Sequence, residues 1–162
     1  MSVSDSEAAA AFVRSFYEAF ARRDGQAMSD AYAPDASFSD PVFPSLSGTE
    51  AGAMWRMLTG RSNDLDVSHS ELEANGGRVT LRWDAHYTFS ATGRKVHNIV
   101  RATIDVRDGK IVRHVDDFDF WRWSRLALGA PGILLGWSPI VRNKVRGQAA
   151  AALRAFQAKA PS

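Results

Sequence analysis

The chain reads as an α+β domain in which helices cover one side of a curved antiparallel sheet. Three observations carry this reading. Apolar residues recur with a helical period up to about residue 60, the period drops to 2 from about Leu65, and short Gly-containing turns cut the alternating part. A length of 162 residues with 45% hydrophobic and 23% charged side chains suits one core of ordinary size.

The elements follow in chain order. Ser4 and Glu7 have capping-box spacing, and Phe12, Phe16 and Phe20 then recur every fourth residue, so a first helix runs until Gly25. A second short helix is expected through Ala27, Met28, Ala31 and Tyr32 until Pro34, followed by a brief alternating segment from Phe38 to Asp40. Thr49 can cap a third helix carrying Met54, Trp55 and Leu58, which Gly60 closes. Four strand-like runs come next, separated by Asn75-Gly76-Gly77, Ala91-Thr92-Gly93 and Arg107-Asp108-Gly109. Residues 78–90 alternate most clearly, with Val79, Leu81, Trp83, Ala85, Tyr87 and Phe89 on one face and Thr80, Arg82, Asp84, His86 and Thr88 on the other. The aromatic stripe on the first face must be covered, by a second copy in a homodimer or by the C-terminal segment.

The C-terminal quarter differs from the rest in charge. Residues 121–162 hold seven Lys or Arg and no acid, leaving 13 basic against 18 acidic residues before them. Pro131 and Pro139 interrupt the apolar run from Leu126 to Val141, which is too short to span a bilayer. Val145, Ala149, Ala152, Leu153 and Phe156 form a helical stripe, so a terminal helix docked on its own protein with Trp137 nearby is expected. Residues 1–123 make the main α+β unit and 124–162 its C-terminal helical extension. A nucleic-acid partner is not expected, because the basic residues are not interleaved with aromatics on the sheet. Residues 1–20 have no secretory pattern, which points to the cytoplasm.

The candidate chemistry rests on carboxylates. The sequence contains no cysteine, no phosphate-binding Gly loop, no His pair at metal spacing and no Ser elbow, so neither a metal nor a cofactor is expected. Asp40 lies among Phe38, Val42 and Phe43, where burial would raise its pKa into the range of a general base; before Pro41 it can equally initiate a turn. Arg82, Asp84 and His86 form one row, and His114, Asp116 and Phe118 another. With three-residue turns Asp84, Val100 and Asp116 would lie abreast, and Arg82 could bridge the carboxylates. If either turn is instead a two-residue Thr92-Gly93 or Asp108-Gly109 loop, the faces swap, so that His97 or Asp117 takes the place of Asn98 or Asp116.

Three helices, a strand ending in Ser39-Asp40-Pro41-Val42, and a meander with Thr92-Gly93-Arg94 and Asp108-Gly109-Lys110-Ile111 resemble the nuclear transport factor 2-like superfamily. From Phe12 to Phe118-Asp119-Phe120-Trp121 the chain is similar to its SnoaL-like and ketosteroid-isomerase-like group. The resemblance implies a cone, or cystatin-like roll, with a ligand pocket at its open end. Asp40 matches the catalytic base of ketosteroid isomerases; the oxyanion tyrosine position reads Phe16, with Tyr17 beside it, and the protonated aspartate position reads Ala102. Arg82, Asp84 and Asp116 match the catalytic triplet of limonene epoxide hydrolases, whose water-holding positions read Phe38 and Asp40. The implied function is a cofactor-independent isomerase or polyketide cyclase acting on a small apolar carbonyl compound. Asp40 would be its base, with Asp84, His86 and Asn98 as available donors and Phe16, Tyr17, Phe38 and Trp55 as lining. The alternatives are epoxide hydrolysis by Arg82, Asp84 and Asp116, and a noncatalytic small-ligand-binding module.

Overall fold

A computed structural model describes residues 3–159. Helix α1 (Val3–Ala21) is followed by α2 (Gly25–Asp30), β1 (Tyr32–Ser39), β2 (Leu46–Ser47) and α3 (Gly48–Arg61). The meander comprises β3 (Asp66–Asn75), β4 (Arg78–Phe89), β5 (Arg94–Arg107) and β6 (Lys110–Asp117), and α4 (Phe120–Leu128), α5 (Ala130–Leu135) and α6 (Pro139–Lys159) close the described chain. The six strands form one curved, open sheet in the order β2-β1-β6-β5-β4-β3.

Several local expectations need correcting. Gly25 begins α2 rather than ending α1, because Arg23, at φ 59°, already makes the left-handed turn between them. Tyr32 and Pro34 belong to β1, not to a helix; the pairing with β6 shifts register between Tyr32 and Ser37, and this irregularity tolerates the missing proline N–H. The sheet is therefore mixed, with β1 parallel to β6. Helix α3 is capped by Ser47, not Thr49: the Ser47 hydroxyl accepts from Glu50 N, and the Glu50 carboxylate accepts from Ser47 N.

Turn length decides which face each side chain takes. The β4–β5 connection pairs Phe89 with Arg94, so four residues form the loop, and Ala85 faces Asn98 while His86 faces His97. Asp108 and Gly109, at φ 52° and 70°, make a two-residue turn into β6. An irregularity beyond it then places Ala102 opposite Asp116. As a result Val79, Leu81, Trp83 and Ala85 share the inner face with Asn98, Val100, Ala102, His114 and Asp116, all of them buried. The row Arg82, Asp84 and His86 faces outward, reversing the expected sides of the sheet.

The core forms two apolar clusters. The larger holds Phe16, Tyr17 and Phe20 of α1, Trp55 of α3, Phe38 of β1 and Trp83 of β4. Its rings meet mostly edge to face, as in Phe20–Trp83 at 5.2 Å and Phe20–Trp55 at 4.9 Å between centroids. The smaller gathers Val96, Phe120, Trp123 and Ala127 under α4. Together they cover the aromatic stripe of β4, and the C-terminal segment supplies part of that cover as expected: Leu126, Ala127, Val141 and Val145 join Trp123 in the cluster that takes in Tyr87 and Phe89. Helix α6 does dock its apolar stripe, with Leu153 buried and Ala149, Ala152 and Phe156 against the larger cluster. Trp137, expected nearby, comes two residues before α6 and is 70% exposed.

Candidate functional site

Phe38 is the last buried inward position of β1, and two residues later, just beyond the strand, comes Asp40. Pro41 prevents the strand from continuing, and the carboxyl folds back over the turn. Its Oδ1 accepts from Val42 N at 2.7 Å and Phe43 N at 2.6 Å, while Asp40 N donates to Phe43 O at 2.9 Å. Oδ2 takes no hydrogen bond from the described residues. Asp40 thus initiates the turn with one oxygen and leaves the other free. Burial pushes its pKa up to about 7; the Asp116 charge adds to the rise, and the Phe43 and Val42 amides and His114 oppose it.

Beneath Asp40 runs a chain of buried polar groups. Trp55 Nε1 donates to Tyr32 Oη at 2.8 Å, Tyr32 Oη lies 2.7 Å from His114 Nδ1, and His114 Nε2 lies 2.8 Å from Asp116 Oδ1. Trp83 Nε1 also donates to that oxygen, at 3.3 Å. Donor accounting orders the protons. The indole N–H can only donate, so the Tyr32 hydroxyl accepts from it and donates to Nδ1, leaving His114 Nε2–H to donate to Asp116. Packing holds the ring in place: His114 stacks on Trp55 and Tyr32 and meets Phe38 edge-on at 5.0 Å. Asp116 Oδ2 and Tyr17 Oη are buried without a partner among the described residues. Burial, then the Asp116 charge, raise the Tyr17 hydroxyl well above its ordinary pKa.

Between the two apolar clusters lies a seam, where Val42, Tyr87 and Phe118 pack against both. Asn98 sits on this seam, flanked along β5 by Val96 of the smaller cluster and Val100 of the larger. Its side-chain amide makes no hydrogen bond with the described residues. Trp123 Nε1 donates to Tyr87 Oη at 2.8 Å, which leaves the tyrosine proton free to donate. Burial raises the Tyr87 pKa, Trp123 lowers it, and the Asp40 charge raises it further, which ties Tyr87 and Asp40 to one locality.

The sequence-derived candidates divide between the two faces. Asp40, Asn98, Asp116, Phe16, Tyr17, Phe38 and Trp55 all belong to the interior, Asp40 at its rim. Arg82, Asp84 and His86 do not join them. On the outer face, Arg82 grips Asp84 with two hydrogen bonds of 2.8 Å, and His97 reaches the same carboxylate at 2.7 Å. The Arg82 guanidinium, followed by His97, holds the Asp84 carboxyl well below the usual carboxylate range. His86 stacks on His97 with 4.0 Å between centroids. Arg82 therefore cannot bridge Asp84 and Asp116, which the four-residue turn puts on opposite sides of the sheet. Neither Tyr87 nor Tyr32 is among the sequence-derived site candidates, and His114 enters only through its row with Asp116. That alternation is the visible signal for His114; Tyr32, 82 residues from it, has none.

Residues 13–114 match the family model of the SnoaL-like domain. No curated protein matches the chain. Among solved structures, an LEH-like epoxide hydrolase of M. tuberculosis superimposes with a TM-score of 0.65 at 21% identity, covering 80% of this chain and 94% of that one. A protein of Xanthomonas campestris pv. campestris assigned as a polyketide cyclase gives 0.64 at 25% identity, with 75% and 98% covered. A protein with a ketosteroid isomerase-like fold from Catenulispora acidiphila, solved with trimethylamine, gives 0.64 at 16% identity, with 79% and 97% covered. The chain belongs to the SnoaL-like domain family and has the nuclear transport factor 2-like fold.

Proposed function

We propose that the protein is a cofactor-independent acid–base enzyme of the isomerase or polyketide-cyclase type, with Asp40 as the base and a small, largely apolar carbonyl compound as substrate. The observation that carries this reading is the seam. A carboxylate with one oxygen anchored and one free stands near Tyr87, whose hydroxyl proton is unspent, and the same seam carries Asn98, whose amide has no hydrogen bond with the described residues. Asp40 Oδ2 removes a proton from the carbon next to the carbonyl, and the electron pair moves onto the carbonyl oxygen. Tyr87 and Asn98 donate to the resulting enolate, whose charge a dry site stabilises far better than an open one. Return of the proton to another carbon completes an isomerisation; attack of the enolate carbon on a second carbonyl gives ring closure. The Tyr32–His114–Asp116 chain lies behind this site, and its order fixes the inner wall.

The similarity of the Xanthomonas protein supports the cyclase side of the reading. The test is proton exchange in D2O, followed by NMR, at the α-carbon of a panel of enolisable cyclic ketones and aryl β-diketones. Exchange catalysed by the native protein and lost in Asp40→Asn is expected. Exchange that survives Asp40→Asn would overturn the assignment of the base, and ligand binding without exchange in either protein would favour a noncatalytic binding module.

A further inference from the structure

Between α4 and α6 the chain carries a cluster of large apolar side chains in water. Leu134 is 69% exposed, Trp137 70% and Ile140 76%, and Ile133 and Leu135 are about half exposed. This exposure is built in. A Cβ on Gly132 would stand 2.0 Å from Ser124 O, and one on Gly136 2.0 Å from Ser124 Oγ, so α5 rests its glycine face directly on α4. Four residues apart, those glycines occupy one side of the turn and leave Ile133, Leu134, Leu135 and Trp137 no inward direction. Two indole bonds hold the arrangement: Trp121 Nε1 donates to Ile133 O, and Trp137 Nε1 to Leu134 O at 2.9 Å.

The segment that carries the cluster is basic throughout. No acid occurs from Phe120 to Ser162. Arg125 lies over the Trp121 ring at 4.2 Å, Arg142 is exposed beside Phe120, and Lys144 follows Ile140 by one helical turn. Residues 1–120 carry a formal net charge of −5, so the apolar cluster sits in the part of the chain where the positive charge is concentrated.

We propose that this cluster is a membrane-surface anchor, inserting Ile133, Leu134, Leu135, Trp137 and Ile140 among the acyl chains of an anionic bilayer while Arg125, Arg142 and Lys144 engage its headgroups. Apolar side chains, a tryptophan at the boundary and a basic collar are the combination such an interface selects. No helix among the described residues is long and apolar enough to cross a membrane, so the contact is peripheral. A second copy fits less well, because a two-fold contact would set each basic collar against its own like charge. The proposal does not depend on the chemistry assigned to Asp40.

The test is flotation of the intact protein with vesicles of phosphatidylcholine containing about 30% phosphatidylglycerol, and with phosphatidylcholine alone, at about 0.1 M and about 0.5 M NaCl. Binding to the anionic vesicles that weakens in high salt is expected. The double variant Leu134→Ser/Trp137→Ser should lower the partition coefficient by about tenfold or more on both compositions, and Arg142→Glu/Lys144→Glu on the anionic vesicles alone. These positions are exposed, and unchanged circular dichroism will show that the variants fold. Failure of the native protein to float, or flotation indifferent to the Leu134/Trp137 change, would overturn the proposal. So would a dimer by light scattering that the same change dissolves while lipid binding is absent.

Discussion

At the residue scale, Asp40 serves the turn with one oxygen and leaves the other free. Asp40→Asn keeps an acceptor for the Val42 and Phe43 amides and should lower turnover by about 10²–10⁴-fold. The pH dependence has a definite sign. Rate should rise with pH through about 7 as the base ionises. Stability should do the opposite: the folded carboxyl keeps its proton up to about pH 7, whereas the unfolded one releases it near 3.8, so its favourable contribution is full below about pH 4 and lost as pH rises through 7. Asp40→Asn should therefore melt higher than the native protein at pH 8, with little difference at pH 4. Tyr87→Phe should cost kcat about 10²-fold through loss of an enolate donor. His114→Phe conserves an aromatic ring but strands Tyr32 Oη and Asp116, and should cost about 2–4 kcal/mol in a denaturant titration. Asp40 was legible from Asp-Pro among apolar neighbours. The relay was not, because its members meet only when β1 lies beside β6.

At the element scale, turn parity controls the molecule. The alternation of β4 was plain in the sequence, and so were all three meander turns. Which face held the site was not, because a four-residue loop and a three-residue loop differ by one position and carry the same Gly93. The Arg82-x-Asp84 pattern consequently became an outer-face ion pair. Asp84→Asn should leave turnover unchanged and remove a contribution to stability that is present above the ordinary carboxylate pKa and lost as pH falls. In α5 the usual propensity rule reverses. Alanine for glycine in a helix ordinarily stabilises, yet Gly132→Ala drives a methyl into Ser124 O and should lower stability by about 1–3 kcal/mol, measured by thermal melting. Helix α3 owes its start to the Ser47–Glu50 box, whose Ser-x-x-Glu spacing stands in the sequence two residues before Thr49.

Over the whole molecule, two apolar clusters meet at a seam, where the Tyr87 hydroxyl proton and the Asn98 amide are unspent, and Tyr17 Oη and Asp116 Oδ2 lie buried without a partner among the described residues on the larger cluster's side. Such groups are costly in a packed interior unless something completes them, and a substrate oxygen would do so. The division between an acidic body and a basic end was fully legible in the sequence, because charge can be counted. The exposure of Trp137 was not, since it follows from α5 turning its glycines inward, a tertiary contact. Whether the interior tunes Asp40 into a base is read most directly from a carbon-13 carboxyl NMR titration of the protein, with Asp40→Asn identifying the resonance. A midpoint near pH 7 is expected. A midpoint near the ordinary aspartate value of about 4 would contradict that tuning.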